Sequence, residues 1–253
     1  MQRPINLFID SRAVVLKTIP FSDTSLICRI FTKEKGKISI MAKGAKRKKN
    51  LLTSVLECGN IIRLQYMFKE NRDIQILKEA SLDYNIILIR KDLEKLLTLF
   101  SIIEILDKTT HPLNEAPILF RLISSTIKTL AVKKLNSKIL YNFYLLHLAI
   151  QNGFKPNITN CSKCNTLFRD KIVLINGQLY CQSCDNFNSK LIHENSLSFI
   201  KKLMYTNINK INDLNVNDIN LNSISFFLED YIRYHIEGMN YVKSTSLLHK
   251  LSK

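Results

Sequence analysis

The chain has 253 residues, 46% of them hydrophobic, and carries a formal net charge of +16. With no tryptophan and few glycines and prolines, this composition excludes fibrous and low-complexity proteins and leaves room for one large domain or several small ones. A run of eighteen apolar residues is absent, which argues against a membrane-spanning helix, and the charge predicts a polyanionic partner.

The first residues, 1–5, lack the apolar core and cleavage site of a signal peptide. Four of the six cysteines have metal-like spacing, and Cys28 and Cys58 stand alone within or just before apolar runs. This usage is typical of a reducing compartment and not of a disulfide framework. We therefore expect a cytoplasmic protein without a membrane partner.

Residues 1–80 predict β-strands, because polar and apolar side chains alternate in short runs. The five predicted strands lie at about residues 13–16, 24–31, 36–42, 60–68 and 72–77. This number of strands suits a small closed barrel, of which the OB-fold is the common nucleic-acid-binding form. Tyr66 and Phe68 face the predicted core, which leaves Phe21, in a loop before the second strand, as the candidate for base stacking.

Basic residues concentrate in the same segment, where sixteen Lys and Arg accompany seven Asp and Glu. The density peaks at residues 43–49, five of which are cationic. Such a run beside a strand end predicts a mobile phosphate-binding loop, with steep salt dependence because each phosphate contact releases counterions. A solvated loop without a partner is the alternative. The residues predicted to contact the phosphates, which are those of DNA if the family resemblance given below holds, are Lys35, Lys37, Lys43, Lys46, Arg47, Lys48, Lys49 and Arg72.

After residue 80 the apolar period changes from that of a strand to that of a helix. The predicted helices lie at about 85–108, 115–134, 137–151, 194–205 and 223–237, with Asp83 as the cap of the first. The polar residues 206–222 predict a connector, and residues 242–251 predict an extended tail. The sequence therefore predicts an α+β protein with two domains, an OB-fold at 1–80 and a helical domain at 81–253.

Four cysteines in the helical half form two Cys-x-x-Cys pairs, Cys161 with Cys164 and Cys181 with Cys184, separated by sixteen residues. This spacing predicts a four-thiolate zinc site, because two knuckles supply the tetrahedron that Zn²⁺ prefers. Between the pairs, Asn176-Gly177 predicts the tip of a short hairpin that returns the second knuckle to the first. We predict one structural zinc per chain in a module at about 158–188. Disulfides, metal-free thiols, or His193 in place of one thiolate are the alternatives.

The sequence contains neither a phosphate-binding glycine loop nor a serine nucleophile elbow, and its five histidines do not cluster. His147 lies in an apolar helix and is expected to be packed and hydrogen-bonded, while Cys28 and Cys58 read as small core residues. A zinc with four thiolate ligands has no open position for a reactive water. These features predict a binding protein and not an enzyme, although a thiol redox protein or a nucleic-acid hydrolase remains a rival.

The order of these features resembles the RecO family of bacterial DNA repair and recombination mediators. The resemblance is carried by Ala13-Val-Val-Leu-Lys-Thr18, Ser22-Asp-Thr-Ser-Leu26, Phe31-Thr-Lys-Glu-Lys-Gly-Lys37, Ala42-Lys-Gly-Ala-Lys-Arg47 and Asn152-Gly-Phe-Lys-Pro156, which precedes the cysteines. It extends over nearly the whole chain. Each motif alone has low specificity, but their order together with the barrel, helices and four cysteines is specific.

The resemblance implies an N-terminal OB-fold, a helical domain and a zinc-ribbon-like insertion. It also implies binding of single- and double-stranded DNA, annealing of complementary strands, and work with RecR to load RecA onto DNA coated by single-stranded DNA-binding protein. Members of the family contact the acidic, hydrophobic C-terminal tail of that protein, and their place is the bacterial nucleoid. The rival binding function is a zinc-ribbon factor of transcription or translation.

Overall fold

The computed structural model describes residues 7–113, 117–132, 134–168, 172–184, 191–239 and 242–251. Three predicted features fall outside these ranges: the N-terminal residues 1–5, the start of the second predicted helix at Glu115, and the end of the predicted cysteine module at 185–188. Within the described ranges, no helix has the length and apolar character needed to cross a membrane.

The N-terminal segment forms the five predicted strands. They are β1 (Leu7–Phe21), β2 (Ser25–Thr32), β3 (Gly36–Ala42), β4 (Ile61–Phe68) and β5 (Ile74–Tyr84). The strands close into a barrel in the order β1-β2-β3-β5-β4, in which β3 and β5 run parallel and the other neighbouring pairs antiparallel. A five-stranded closed barrel of this kind is OB-like, as the sequence predicts.

The barrel interior is filled by the inward positions of the alternating pattern, among them Val15, Cys28 and Ile40, all fully buried. Tyr66 is buried and Phe68 packs against the same core, which confirms that both serve packing. Burial is the main reason that the pKa of Tyr66 is raised to about 12. The short helix α1 (Leu52–Val55) lies in the β3–β4 connection and packs against this core.

A short 3-10 helix (Ile86–Lys91) and two longer helices, α2 (Leu93–Thr109) and α3 (Pro117–Leu130), follow the barrel. The predicted cap of the first helix was wrong: the Asp92 carboxylate accepts a hydrogen bond from the Lys95 backbone N–H at 3.1 Å and caps α2. Asp83 still belongs to β5, where its carboxylate accepts hydrogen bonds from Arg12 and Arg63 across the sheet. Sequence reasoning ended the strand too early and therefore placed the cap too early.

Replacing Asp83 by Asn is expected to lower the free energy of unfolding at pH 7 by about 1–2 kcal/mol, since hydrogen bonds to a charged group are the stronger ones. Desolvation opposes ionisation of Asp83, but the bonds from Arg12 and Arg63 outweigh it, so its pKa is lowered. The stabilisation is therefore present above the unfolded-state pKa and is lost as the pH falls through the lowered value. Urea titrations at pH 7 and pH 2 should show a difference that disappears in acid. Asp10→Asn is the matched control: it neutralises an exposed carboxylate that accepts from the uncharged Gln65 amide, and it should have little effect.

The chain divides into two compact units, residues 1–131 and 132–253. The change from strands to helices occurs at Tyr84, close to the predicted position, but α2 and α3 belong to the same compact unit as the barrel. The predicted domain boundary at about residue 80 stays a prediction.

The second unit contains α4 (Ser137–Gln151), α5 (Glu194–Tyr205), a 3-10 helix (Ile208–Asp213), α6 (Leu221–His235) and α7 (Lys243–Leu251). Helix α4 is buried on most sides and forms the centre of this unit. From α4 the Tyr141 hydroxyl donates to the buried Glu229 carboxylate of α6 at 2.7 Å. His147 contacts the Leu203 carbonyl at 3.3 Å, and burial lowers its pKa, so it is the packed histidine that the sequence predicts.

The predicted extended tail at 242–251 was wrong, because residues 243–251 form α7. Val242, Thr245 and Leu248 are all buried, and their spacing of three residues is that of one helical face. His249 lies 2.9 Å from the Glu229 carboxylate and stacks on Phe226, which fixes this helix to α6. The polar composition of the segment concealed a short amphipathic helix.

Candidate metal centre and nucleic-acid surface

The four predicted cysteines lie together in the second unit. Their four sulfur atoms are all within 4.8 Å of one another. A hairpin carries the second pair: β6 (Ile172–Ile175) and β7 (Gln178–Cys181) are antiparallel, and Ile172 lies opposite Cys181. At its tip Asn176 and Gly177 both have positive φ, +48° and +68°, as a two-residue hairpin turn requires. The predicted hairpin is confirmed.

The first knuckle is a backbone turn tied to the hairpin. The Asn165 N–H donates to the Cys161 carbonyl at 3.0 Å, and the Cys161 N–H donates to the Thr166 carbonyl at 2.9 Å. The Ser162 N–H donates to the Leu179 carbonyl on β7 at 2.9 Å, which holds the two knuckles together. Backbone geometry therefore brings the cysteine cluster (Cys161, Cys164, Cys181 and Cys184) together. His193, the alternative ligand, lies instead at the cap position of α5.

The donor set fits a divalent metal. The Thr166 hydroxyl lies 2.9 Å from the Cys164 sulfur and is the main reason that the pKa of Cys164 is lowered to about 6. Hydrogen bonding with Cys164 and Cys181 raises the pKa of Cys184 to about 12. Four thiolates this close repel one another, so full ionisation requires a central cation.

The sulfur–sulfur distance also fits zinc. The Cys164 and Cys181 sulfurs are 3.6 Å apart. Tetrahedral Zn–S bonds of about 2.3 Å imply a sulfur separation of about 3.8 Å.

The disulfide alternative does not describe this structure, because all six cysteines are free thiols and 3.6 Å far exceeds an S–S bond length of about 2.05 Å. Cys58 is half-buried, and desolvation raises its pKa to about 12. Burial likewise raises the pKa of Cys28. Neither isolated thiol has the lowered pKa of a nucleophile. Cys28 belongs to the barrel core, as predicted, whereas Cys58 is half-buried and donates to the Leu16 carbonyl.

The tip of the cysteine hairpin is fixed to α6. His235 Nε2 donates to the Gly177 carbonyl at 3.0 Å, and the His235 ring stacks on Phe154 with centroids 5.0 Å apart. A Cβ on Gly177 would lie 2.1 Å from a ring carbon of Tyr234, so glycine is required by space as well as by its positive φ. Phe154 belongs to the segment 152–156, which leads from α4 towards the first knuckle.

Replacing Gly177 by Ala is expected to destabilise the second unit by about 2–4 kcal/mol, because overpacking against Tyr234 adds to the strain of positive φ. Gly153→Ala is the matched control: it has φ +87°, but nothing lies within 4 Å of the added Cβ. Chemical denaturation of the two variants would separate the steric cost from the conformational cost. An equal loss in both variants would contradict the tight contact between the hairpin tip and α6.

The basic turn, defined as residues 43–49, leaves β3 and lies against the β1–β2 turn. The Lys46 N–H donates to the Thr24 carbonyl at 2.9 Å, and Lys46 Nζ donates to the Ser22 carbonyl at 3.3 Å. Within the turn Ala45 is buried, and the Asn50 side-chain amide donates to the Gly44 carbonyl at 3.0 Å. The predicted mobile loop is therefore a hydrogen-bonded turn. Its five cationic side chains are all exposed: Lys43, Lys46, Arg47, Lys48 and Lys49.

The other three predicted DNA contacts lie outside the basic turn and are half-buried. Lys37 donates to the Asp107 carbonyl at 2.5 Å, and burial lowers its pKa. Lys35 lies over the Phe68 ring at 5.9 Å. Arg72, in the β4–β5 connection, has a buried Nη1 without a hydrogen-bond partner among the described residues. Lys37 therefore has a structural role, and DNA contact by all eight residues stays a prediction.

A further surface lies on the outer face of the barrel and was missed by sequence reasoning. Ile19, Ile27, Met41 and Ile76 lie opposite one another on β1, β2, β3 and β5 and form one row across the sheet. They occupy outward positions, since the flanking Leu26, Cys28, Ile40 and Ala42 fill the core. The sequence does show apolar residues at both inward and outward positions of these strands. Only the order of the strands in the sheet shows that the outward ones lie side by side.

Comparison with known proteins gives two family matches in chain order. The family described as "Recombination protein O N terminal" matches residues 7–85, and "Recombination protein O C terminal" matches residues 90–245. Proteins named "DNA repair protein RecO" are similar in sequence. Those of Prosthecochloris aestuarii and Pelodictyon phaeoclathratiforme are each 34% identical over 155 residues, 61% of this chain and 59% of theirs. That of Chloroherpeton thalassium is 25% identical over 95% of this chain and 98% of its own length. The matched region thus spans less than two thirds of the first two relatives.

Proposed function

The chain belongs to the RecO family, and from this membership we propose that it is a DNA-binding recombination mediator in recombinational DNA repair. In this function it binds single- and double-stranded DNA and anneals complementary strands. With RecR it helps to load RecA onto DNA coated by single-stranded DNA-binding protein. It acts as a binding protein without catalytic residues, in the bacterial cytoplasm at the nucleoid.

The observation that carries the proposal is the pair of family matches, which together extend from residue 7 to residue 245 in the expected order. The exposed cations of the basic turn support the DNA-binding part of it. Backbone hydrogen bonds hold the turn against the β1–β2 connection, so its charges are presented on an ordered scaffold. An ordered cationic surface suits phosphate contacts, which fix position without reading sequence.

The annealing mechanism is electrostatic. Two complementary strands repel each other through their phosphates, and a cationic surface lowers this repulsion while the bases stay free to pair. The main contacts with DNA phosphates are Lys46, Arg47, Lys48 and Lys49. Lys43, which directly follows β3, is a further phosphate contact beside them. Lys35 and Arg72 contribute less, because they are half-buried.

The cysteine cluster holds one structural Zn²⁺ in a zinc-ribbon-like module, with Cys161, Cys164, Cys181 and Cys184 as ligands. The separation of 3.6 Å between the Cys164 and Cys181 sulfurs supports this assignment. Zinc supplies a crosslink between the two knuckles. Because four thiolates complete its coordination, the module serves stability and not hydrolysis.

An annealing assay tests the proposed function. Two complementary labelled oligonucleotides are mixed bare, coated with intact single-stranded DNA-binding protein, or coated with the same protein lacking its C-terminal tail. The chain is expected to accelerate annealing of bare strands and of strands coated with intact protein. Loss of the tail should remove the acceleration on coated strands alone, because the tail is the proposed docking segment. DNA binding without any annealing would contradict the mediator function and favour the zinc-ribbon factor.

A further inference from the structure

The four sulfurs of the cysteine cluster differ in their access to solvent. Cys161 is buried, Cys181 and Cys184 are half-buried, and Cys164 is exposed. Cys164 lies in a run of exposed residues, 162–167, that forms the surface of the first knuckle. The oxidation of a thiolate depends on its exposure, so a dissolved oxidant reaches Cys164 before the other three cysteines.

A second cysteine lies within reach of Cys164 on the other knuckle. The Cys164 and Cys181 sulfurs are 3.6 Å apart, so an approach of about 1.5 Å brings them to the S–S bond length of about 2.05 Å. The backbone already holds the two knuckles together, because the Ser162 N–H donates to the Leu179 carbonyl at 2.9 Å. Cys161, the alternative partner within the first knuckle, is buried. The geometry therefore favours a bond between the knuckles over one within the first knuckle.

From this geometry we propose that Cys164 and Cys181 form a site of reversible oxidation, at which a hydroperoxide joins the two sulfurs in a disulfide and the cysteine cluster gives up its metal. The inference rests on the structural zinc of the proposed function and adds to it a second chemical state of the module. The reduced state holds zinc. In a reducing compartment the disulfide state is transient, as is usual for disulfides that sense oxidants.

The reaction consumes one hydroperoxide and two protons. The Cys164 thiolate attacks one oxygen of hydrogen peroxide, the O–O bond breaks, and the hydroxide that leaves takes up a proton and becomes water. Cys164 is then a sulfenic acid. The Cys181 thiolate attacks the Cys164 sulfur, the S–S bond forms and the S–O bond breaks, and the second hydroxide becomes water in the same way. The two sulfurs lose two electrons in total, and the peroxide gains them.

The disulfide keeps the crosslink between the knuckles and removes the metal site. Cys161 and Cys184 alone cannot complete a tetrahedral four-thiolate site, so they no longer retain zinc. The new bond joins the same two knuckles that zinc joins, and the hydrogen bond from Ser162 to Leu179 stays. The oxidised module should therefore remain folded, unlike a module that loses a ligand by mutation, and a thiol reductant should return it to the zinc-binding state.

The test treats the full chain with hydrogen peroxide in the presence of a coloured zinc chelator. Peroxide is expected to release all of the bound zinc and to remove two of the six free thiols. Trypsin cleaves after Lys163 and so separates Cys164 from Cys161, and mass spectrometry with peptide fragmentation should find Cys164 linked to Cys181. Dithiothreitol followed by zinc should restore both the thiols and the metal. The protease resistance of the second unit should stay unchanged throughout.

Cys58→Ser is the matched control: that thiol lies outside the cluster, so this variant should release zinc at the wild-type rate. Zinc retained at a peroxide dose that oxidises glutathione in a parallel sample would overturn the inference. A disulfide at any other pair, or irreversible sulfinic acids, would overturn it as well. If the purified chain held no zinc, the proposed metal would be wrong, and the mapped disulfide would still decide for or against the pair. The annealing assay tests the mediator function independently of these outcomes.

Discussion

Replacing Lys46, Arg47, Lys48 and Lys49 together by alanine is expected to reduce DNA affinity by a factor on the order of 10²–10³ at low salt. If each side chain contacts one phosphate, the slope of log affinity against log salt should fall by about 3 units, since each contact contributes about 0.7–0.9. The fold should survive, because these side chains are exposed and the side-chain hydrogen bond that is lost, from Lys46 to the Ser22 carbonyl at 3.3 Å, lies on the surface. Isothermal binding measurements across a salt series would give both quantities.

A control variant must remove the same charge elsewhere. Lys91, Lys201, Lys202 and Lys210 are exposed lysines that lie outside the basic turn. Their joint replacement by alanine lowers the net charge by the same amount and should change the salt slope by less than one unit. An equal reduction in both variants would show that overall charge, and not the basic turn, attracts DNA. An unchanged slope in the basic-turn variant would remove the turn from the DNA surface.

Local patterns predicted the barrel well because strand periodicity, turn residues and burial agree. The predicted strand at 36–42 matches β3, and the alternation that buries Tyr66 is visible in the chain. The cysteine hairpin was equally readable, since Asn176-Gly177 specifies its own turn. In each case the information lies within a few residues.

Long-range contacts were not readable. The basic turn is ordered by a hydrogen bond from Lys46 to Thr24, and the alignment of Ile19 with Ile76 depends on the order of strands in the closed sheet. The tail helix α7 is fixed by the distant Glu229. Charge composition alone suggested Lys37 as a DNA contact, which stays a prediction, and it did not reveal that the Lys37 ammonium donates to the Asp107 carbonyl. The sequence therefore predicts the chemistry of each residue, but it does not predict which distant residue each one contacts.

Replacing Cys161 by Ser is expected to reduce bound zinc from about one per chain to near zero and to unfold the cysteine module. Cys161 is buried, and its sulfur is one of four in the cluster. Structural zinc contributes about 10–16 kcal/mol to folding of isolated zinc-finger peptides, so loss of one ligand far outweighs an ordinary Cys→Ser exchange. Metal analysis and proteolysis of the module would measure both effects. Cys58→Ser is the control, because that thiol lies outside the cluster and contacts the Leu16 carbonyl.

The barrel should remain folded in the Cys161→Ser variant, since its core lies in the other compact unit. DNA binding through the basic turn should then fall only indirectly and by far less than in the four-residue variant. A strong chelator added to the wild-type chain should reproduce the effect. If the Cys161→Ser variant kept its fold in both units yet lost DNA binding, the knuckles would be a DNA contact surface and not a structural crosslink. If the purified wild-type chain bound no zinc and its thiols reacted rapidly, the cluster would instead be a redox site.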